Sequence, residues 1–534
     1  MNINRPRTQA WWILASFLAI GLGILLRFWR ITDNQFLFYD EGMYLGYNRK
    51  FLNLVAANPP KDINEFFIIL NLMFTVALST AKALWFLLLN LRVFILGSES
   101  WYFARILSAV SGIITIVLTY LFAHKYFQSR RIAVLSAVFL SLLPSHVFYS
   151  RLGMQESLSA LLFLLAISLY LFHKPLNWKT IVSAVLLVCL FLTNYRMIVA
   201  PIFIVAIELF EAFKDHKTVN WVKTFVFILI FSSFVFFIGS LYGGANRYVT
   251  FGWIFHQAQE AEGQRNFISF FSYPYYVFAL EGILFALMLL ANFYFVIQKQ
   301  WSKVLPFILV LLQMGIFSFA AEKGARYLCV VLPLMAMAAA VSADWLLSLP
   351  GKKYYKIAIT LACLFMVWRS LSIVNSGTEY AKAVHLVISH DPKAKIVSTQ
   401  PLTEQLYVQN ENDIKECPKD LAGFVGLYKQ GYQYLILDPQ AYISWTKDSQ
   451  RFSPPLINFL EDIRTYVPPL ASLVHLNPVL LERFVLDHNQ NLLKSVSFLK
   501  KSTQQGYGQI QIYDISQCLI FLKQRATQSS TKIY

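Results

Sequence analysis

Apolar residues dominate the first 374 positions in runs of helical length separated by short polar links, and this rhythm stops near residue 375. A helix needs about 20 apolar residues to cross a hydrocarbon core roughly 30 Å thick. On that measure the pattern predicts about eleven membrane helices, near 11–30, 103–123, 132–150, 156–172, 180–196, 198–212, 222–242, 276–297, 304–321, 327–349 and 355–374. The fifth and sixth are joined by little more than Thr193-Asn194-Tyr195-Arg196, so they can also be counted as one. An odd total puts the two termini on opposite sides of the bilayer. After residue 375 the pattern turns to short alternating stretches, Ala394-Lys395-Ile396-Val397-Ser398 and Tyr432-Gln433-Tyr434-Leu435-Ile436-Leu437, among Pro, Asp and Asn. These predict short strands separated by turns and helices. Residues 375–534 therefore read as a soluble α/β domain of about 160 residues, a size at which one hydrophobic core is feasible.

The links between apolar runs orient the chain. Short loops rich in Lys and Arg stay cytoplasmic, and Arg5 with Arg7, then 124–131, 173–179, 214–223, 299–303 and 352–356 all fall on one side. The opposite, extracytoplasmic side receives the long first loop 31–102, the turn 151–155, the loop 243–275, the link 322–326 and the tail. The first run is too long for a signal peptide and lacks a small-residue cleavage site, so it reads as a retained helix.

Composition supports a membrane protein: 57% of residues are hydrophobic and 14% charged, well away from soluble averages. A net charge of +17 raises the question of nucleic acid, but the cations lie spread through short loops and read as topology signals instead. Of five cysteines, Cys189, Cys329 and Cys363 lie in apolar runs as small buried hydrophobes. Cys417 and Cys518 lie in the tail, where an oxidising compartment would permit a disulfide.

Candidate chemistry sits at the ends of the apolar runs on the extracytoplasmic side. Asp40 and Glu41 follow the first run by about ten residues, and Trp101-Tyr102-Phe103-Ala104-Arg105-Ile106-Leu107-Ser108-Ala109 leads into the second. Between them, residues 84–94 form an amphipathic stretch suited to a helix in the interface plane. Tyr149-Ser150-Arg151-Leu152-Gly153-Met154-Gln155-Glu156 joins the third and fourth runs, and Glu322-Lys323-Gly324-Ala325-Arg326-Tyr327-Leu328 leads to Val331-Leu332-Pro333.

In order and spacing over roughly residues 10–350, these motifs resemble membrane glycosyltransferases of the GT-C class, closest to the protein O-mannosyltransferase and lipid A aminoarabinose transferase branch. The resemblance implies a polytopic α-helical GT-C module over 1–374, with the α/β domain of 375–534 outside the cytoplasm. It implies transfer of a sugar from a polyprenyl-phosphate carrier to a lipid, glycan or protein acceptor at the extracytoplasmic face, with membrane lipid as surroundings and no nucleic-acid partner. Breaking an anomeric C–O bond calls for a carboxylate to take the acceptor's proton and cations to stabilise the departing phosphate. The family pattern gives Asp40 as general base, Glu41 and Glu156 as supporting acids, and Arg105 and Arg326 as phosphate ligands. Lys82 is a weaker third cation, because the acid before it and the prolines after it are absent from Thr80-Ala81-Lys82-Ala83-Leu84. Divalent-metal use stays open, with Glu156 and His256, which resembles a metal-binding loop His of one branch, as its residues.

Blander readings stand beside these. Asp40 with Glu41 caps an interfacial helix, Arg105 snorkels, Glu156 sits favourably at a helix N-terminus, and His256 is an ordinary surface residue. A lipid-linked oligosaccharide ligase or oligosaccharyltransferase is the nearer rival function. A non-enzymatic flippase is the further one, since it should show broken helices in paired repeats, and none is visible in the sequence.

Overall fold

The computed structural model describes residues 5–33, 39–79, 82–96, 102–173, 176–216, 218–241, 267–320, 323–439, 441, 452–474, 476–487, 492–493, 496–497, 499 and 507–530. They divide into two compact units, Met1–Ile31 with Asn48–Val374, and Thr32–Tyr47 with Asn375–Tyr534.

The first unit is helical, and each apolar stretch read from the sequence is one helix or a succession of two or three. Among the described residues three helices, Tyr102–Phe127, Ala325–Leu346 and Lys352–Val374, are long and apolar enough to cross a membrane, and shorter apolar helices accompany them. The shortening has local causes. Pro144 opens a new helix, Pro144–Tyr149, after Arg130–Leu142 ends. Gly282 divides Ser272–Glu281 from Ile283–Leu290 with a φ of +97°. A 3-10 segment, Ala325–Val331, precedes Leu332–Leu346, in which Pro333 lies in the first turn. Proline and left-handed glycine produce these interruptions because neither continues an α-helical ladder.

Packing within this unit follows membrane logic. Without a water-driven hydrophobic term, helices gain from close approach over small residues and from interhelical hydrogen bonds. Leu332–Leu346 packs on Arg130–Leu142, and both bury small residues, Ala336, Ala339 and Ala340 on the first and Ala133 and Ala137 on the second. Asn292 adds a polar tie, its Nδ2 donating to the Ala338 carbonyl and the Ser342 hydroxyl at 3.0 Å each. Buried Ser111, Thr115 and Thr119 each return their hydroxyl to the carbonyl four residues earlier, so these three are not left to hydrocarbon. Outward positions are large and apolar, such as Phe225, Phe236 and Phe237 on Trp221–Leu241.

The first loop is mostly helical. Ala83–Leu96 covers the predicted amphipathic stretch, and Tyr39–Ala57 and Ile63–Ser79 are further helices in a region read as loop.

The second unit is built on a mixed sheet of five strands, β1 (Ile396–Ser398), β2 (Ile414–Glu416), β3 (Tyr434–Leu437), β4 (Ala471–Val474) and β5 (Gln509–Asp514), in the order β2-β1-β3-β5-β4. β1 pairs parallel with β2 and β3, while β5 pairs antiparallel with β3 and β4. Two apolar clusters cover it. One gathers Leu435, Leu437, Phe424, Phe459, Ile463 and Tyr513 with Cys417 and Cys518, and the other gathers Ile396, Ile436, Ile512 and Val384. Alternation along β3 explains the split, since neighbouring side chains point to opposite faces. Cys417 and Cys518 are both buried in the first of these clusters.

Candidate functional site

In the first unit, cations collect around the end of the first helix, Arg5–Phe28. The last carbonyls of any helix lack intrahelical donors, and here the Arg151 guanidinium supplies them. Its Nη1 donates to the carbonyls of Leu26 at 3.1 Å, Arg27 at 3.1 Å and Trp29 at 2.8 Å, and its Nη2 to that of Arg30 at 3.4 Å. Arg105, buried in Tyr102–Phe127, donates to the Ile31 carbonyl at 3.1 Å. Burial, with the neighbouring charges of Arg105 and Arg30, pulls Arg151 down to about 10, so it keeps its proton at neutral pH. One turn below, Arg27 donates to the Ser141 carbonyl at 3.2 Å and meets His146 Nδ1 at 2.5 Å.

The turn that carries Arg151 is fixed by small polar side chains. Ser108 donates to the Met154 carbonyl at 2.7 Å, and Ser157 donates to the Ser150 hydroxyl at 3.1 Å. Gly112 permits this approach, because a Cβ there would overlap the Ser150 hydroxyl and lie 2.8 Å from Ser150 Cβ and 3.2 Å from Arg27 Nε. Glu156 opens the next helix, Glu156–Leu171, and is buried beside Gln155, whose amide donates to it at 3.1 Å. That helix packs against both the Arg105 helix and the segment Ala325–Val331.

A second cationic group forms on that segment. Arg196 lies over the Tyr327 ring, its guanidinium carbon 4.4 Å from the centroid, and Arg326 flanks the same ring at 5.8 Å. Gln313 fixes the backbone by donating to the Tyr327 carbonyl at 2.6 Å, and the Phe317 ring lies tilted against that of Tyr327 with centroids 5.3 Å apart. Lys323 precedes it, and burial lowers its ammonium to about 8. Lys82 is buried immediately before Ala83–Leu96, a helix packed on Ile63–Ser79 and Trp178–Thr193.

Asp40 and Glu41 belong to the second unit. Both stand in the first turn of Tyr39–Ala57. Glu41 is fully buried and Asp40 is half-buried.

The structure thus joins Arg105 to Arg151 and Arg27, and Arg326 to Arg196, with the Glu156 helix touching both sets. Arg27, His146, Arg151 and Arg196 were not assigned from the sequence. A signal existed: Arg151 and Arg196 lie in links on the side that the positive-inside rule leaves poor in cations, and Arg27 lies within an apolar run, where an ionisable residue needs a reason. Among the described residues no three His, Cys, Asp or Glu side chains gather to hold a metal ion. Glu156, which accepts from Gln155, belongs to no such group among them, and His256 lies outside the described residues.

Away from these groups, Glu404 is a fully buried acid of the second unit. Burial raises its pKa well above the ordinary value, the Ser398 hydroxyl opposes this in part, and Asp438 adds to it. A raised acid pKa means the folded state holds the proton longer than the unfolded one. The stabilisation is complete below the unfolded value and is lost as pH rises toward the folded one, by at most about 1.4 kcal/mol per pH unit. Thermal unfolding between pH 5 and 9 should therefore show a stability decline in the native protein that Glu404→Gln flattens; parallel profiles would refute it.

No protein-family model and no curated protein matches the chain. Among solved structures, the archaeal oligosaccharyltransferase AglB from Archaeoglobus fulgidus, in complex with an inhibitory peptide and a dolichol-phosphate, superposes with a TM-score of 0.53 at 12% identity. The match covers 82% of this chain and 71% of AglB. ArnT from Cupriavidus metallidurans in the apo state gives a TM-score of 0.52 at 13% identity, covering 82% of this chain and 94% of ArnT. The chain has a GT-C fold. With that fold and its apolar helices, it is an integral membrane protein. Within the GT-C fold, the described links that bear Arg105, Arg151, Arg196 and Arg326 are the places where apolar helices begin or end.

Proposed function

We propose that the protein is a membrane glycosyltransferase that moves a sugar from a polyprenyl-phosphate carrier to a lipid, glycan or protein acceptor outside the cytoplasm. The observation that carries this reading is the set of buried arginines at helix ends. By the alternation of basic loops, Arg105, Arg151, Arg196 and Arg326 share the extracytoplasmic side, where topology alone gives no reason for them. Planar guanidinium forks match phosphate oxygens, and apolar helices suit a polyprenyl tail. AglB, on the same fold, was solved with a dolichol-phosphate.

The chemistry follows. The bond from the anomeric carbon to the phosphate oxygen breaks, and its electron pair leaves with the polyprenyl phosphate. A new bond forms from the anomeric carbon to the acceptor heteroatom, whose proton passes to Asp40. Arg326, Arg196 and Arg105 stabilise the growing negative charge, with Lys82 as a weaker cation. Glu41 and Glu156 act as supporting acids, and the C-terminal unit works outside the cytoplasm on the acceptor.

Purified protein incubated with candidate polyprenyl-phosphate sugars and acceptors should release free carrier phosphate, followed by mass spectrometry. The likeness to AglB also supports a preassembled oligosaccharide as donor, and a lipid-linked oligosaccharide in the same assay separates the two. Carrier release from neither donor, with intact carrier crossing vesicles instead, would replace the enzyme with a flippase.

A further inference from the structure

The C-terminal unit makes a steric contact with the turn that bears the acidic pair. Residues Thr32–Tyr47 cluster with Asn375–Tyr534, far away in sequence. At Gly42, directly after Asp40 and Glu41, an added Cβ would lie 2.6 Å from the Thr403 hydroxyl oxygen and 2.9 Å from Thr403 Cα. Only a residue without a side chain allows that approach.

The other side of the contact is held firmly. Thr403 belongs to the short helix Pro401–Glu404, two residues beyond the end of β1. Thr399, between them, accepts from the Asp438 amide at 2.8 Å and donates to the Asp438 carbonyl at 3.1 Å, tying the ends of β1 and β3 together. Tyr380 donates to the Asp438 carboxylate at 2.8 Å, and the Gln400 amide donates to Ser398 Oγ at 2.8 Å. The chain leaves β1 toward β2 on one side and leaves β3 toward β4 on the other. These residues therefore occupy the switch point at the carboxyl ends of parallel strands, where open α/β sheets place functional groups.

We infer that Pro401–Glu404 is a positioning element for the Asp40 turn, with Thr403 as the seat and Gly42 as the residue that fits it. The inference rests on Asp40 being the general base. A base must sit within hydrogen-bond reach of the proton it takes, and small displacements of a catalytic group are costly. The tail thereby acts on the chemical step itself as well as on the acceptor.

The test uses full-length protein in detergent with the donor and acceptor identified by the carrier-release assay. Gly42→Ala should lower kcat at least tenfold while the KM for donor stays within twofold. Thr403→Ala placed on top of it, which removes the nearest atom of the contact, should recover part of kcat. Thr403→Leu enlarges the opposite side of the contact and should reproduce the kcat loss, which keeps the inference testable if Gly42→Ala does not accumulate. Wild-type kcat in Thr403→Leu, or an active-site loss in Gly42→Ala that Thr403→Ala leaves untouched, overturns the positioning role. Asp40→Asn is the separating control: if it turns over normally, the base assignment itself fails, whatever Gly42 and Thr403 do.

Discussion

Asp40→Asn should lower turnover on the order of 10² to 10⁴-fold with no loss of membrane-inserted protein. Asn keeps the shape and hydrogen-bonding capacity of Asp but cannot accept the acceptor's proton. The two acids of the pair differ in the property that matters. Asp40 is half-buried, so it can exchange its proton with water between turnovers, whereas Glu41 is fully buried. Both stand in the first turn of Tyr39–Ala57. Glu41→Gln should therefore be milder in turnover. The measurement is initial-rate release of polyprenyl phosphate at saturating donor, with size-exclusion profiles to verify folding. Near-normal release by Asp40→Asn would remove it as base.

How far this was legible in the sequence depends on the range of the interaction. The helices were legible because lipid demands long apolar runs, and each run from 11–30 to 355–374 is helical. β1 and β3 fall within Ala394–Ser398 and Tyr432–Leu437, where short apolar runs between polar and turn-forming residues are a local signal. β2, β4 and β5 were not singled out; Ile414–Glu416 and Ala471–Val474 are short edge strands with little burial to imprint a pattern. Ile63–Ser79 was read as loop although its residues are apolar. The grouping of Thr32–Tyr47 with the tail has no local signature, because it depends on one glycine meeting Thr403 across more than 350 residues. The cations divide in the same way. Arg105 and Arg326 stood in motifs that resemble a family, but the stacking of Arg196 on Tyr327 is a tertiary fact. Arg196 had been read only as part of a link between two helices.

That tertiary fact changes which arginines should couple. Arg196 and Arg326 share one ring, so their guanidinium groups are held in fixed relation and should engage the same carrier phosphate. Replacing either by Lys keeps the charge but loses the planar bidentate contact. Charge-assisted hydrogen bonds contribute about 1.5–3 kcal/mol each, so each Lys variant should bind a polyprenyl phosphate on the order of tenfold more weakly. Ala at both positions should cost less than the sum of the two single changes, because groups serving one ligand are not independent. Arg105→Lys should also weaken binding. Its bond to the Ile31 carbonyl links it to the end of the first helix rather than to Tyr327, so its coupling to Arg326 should pass through the phosphate alone and be smaller. Tyr327→Leu removes the shared ring without touching a charge and should weaken binding as the loss of orientation in both arginines. Affinities of detergent-solubilised variants for a short-chain polyprenyl phosphate, measured by calorimetry with inorganic phosphate as control, give the full cycle. If all single variants bind as the native protein does, the arginines are helix-end fixtures and the donor phosphate must be held elsewhere.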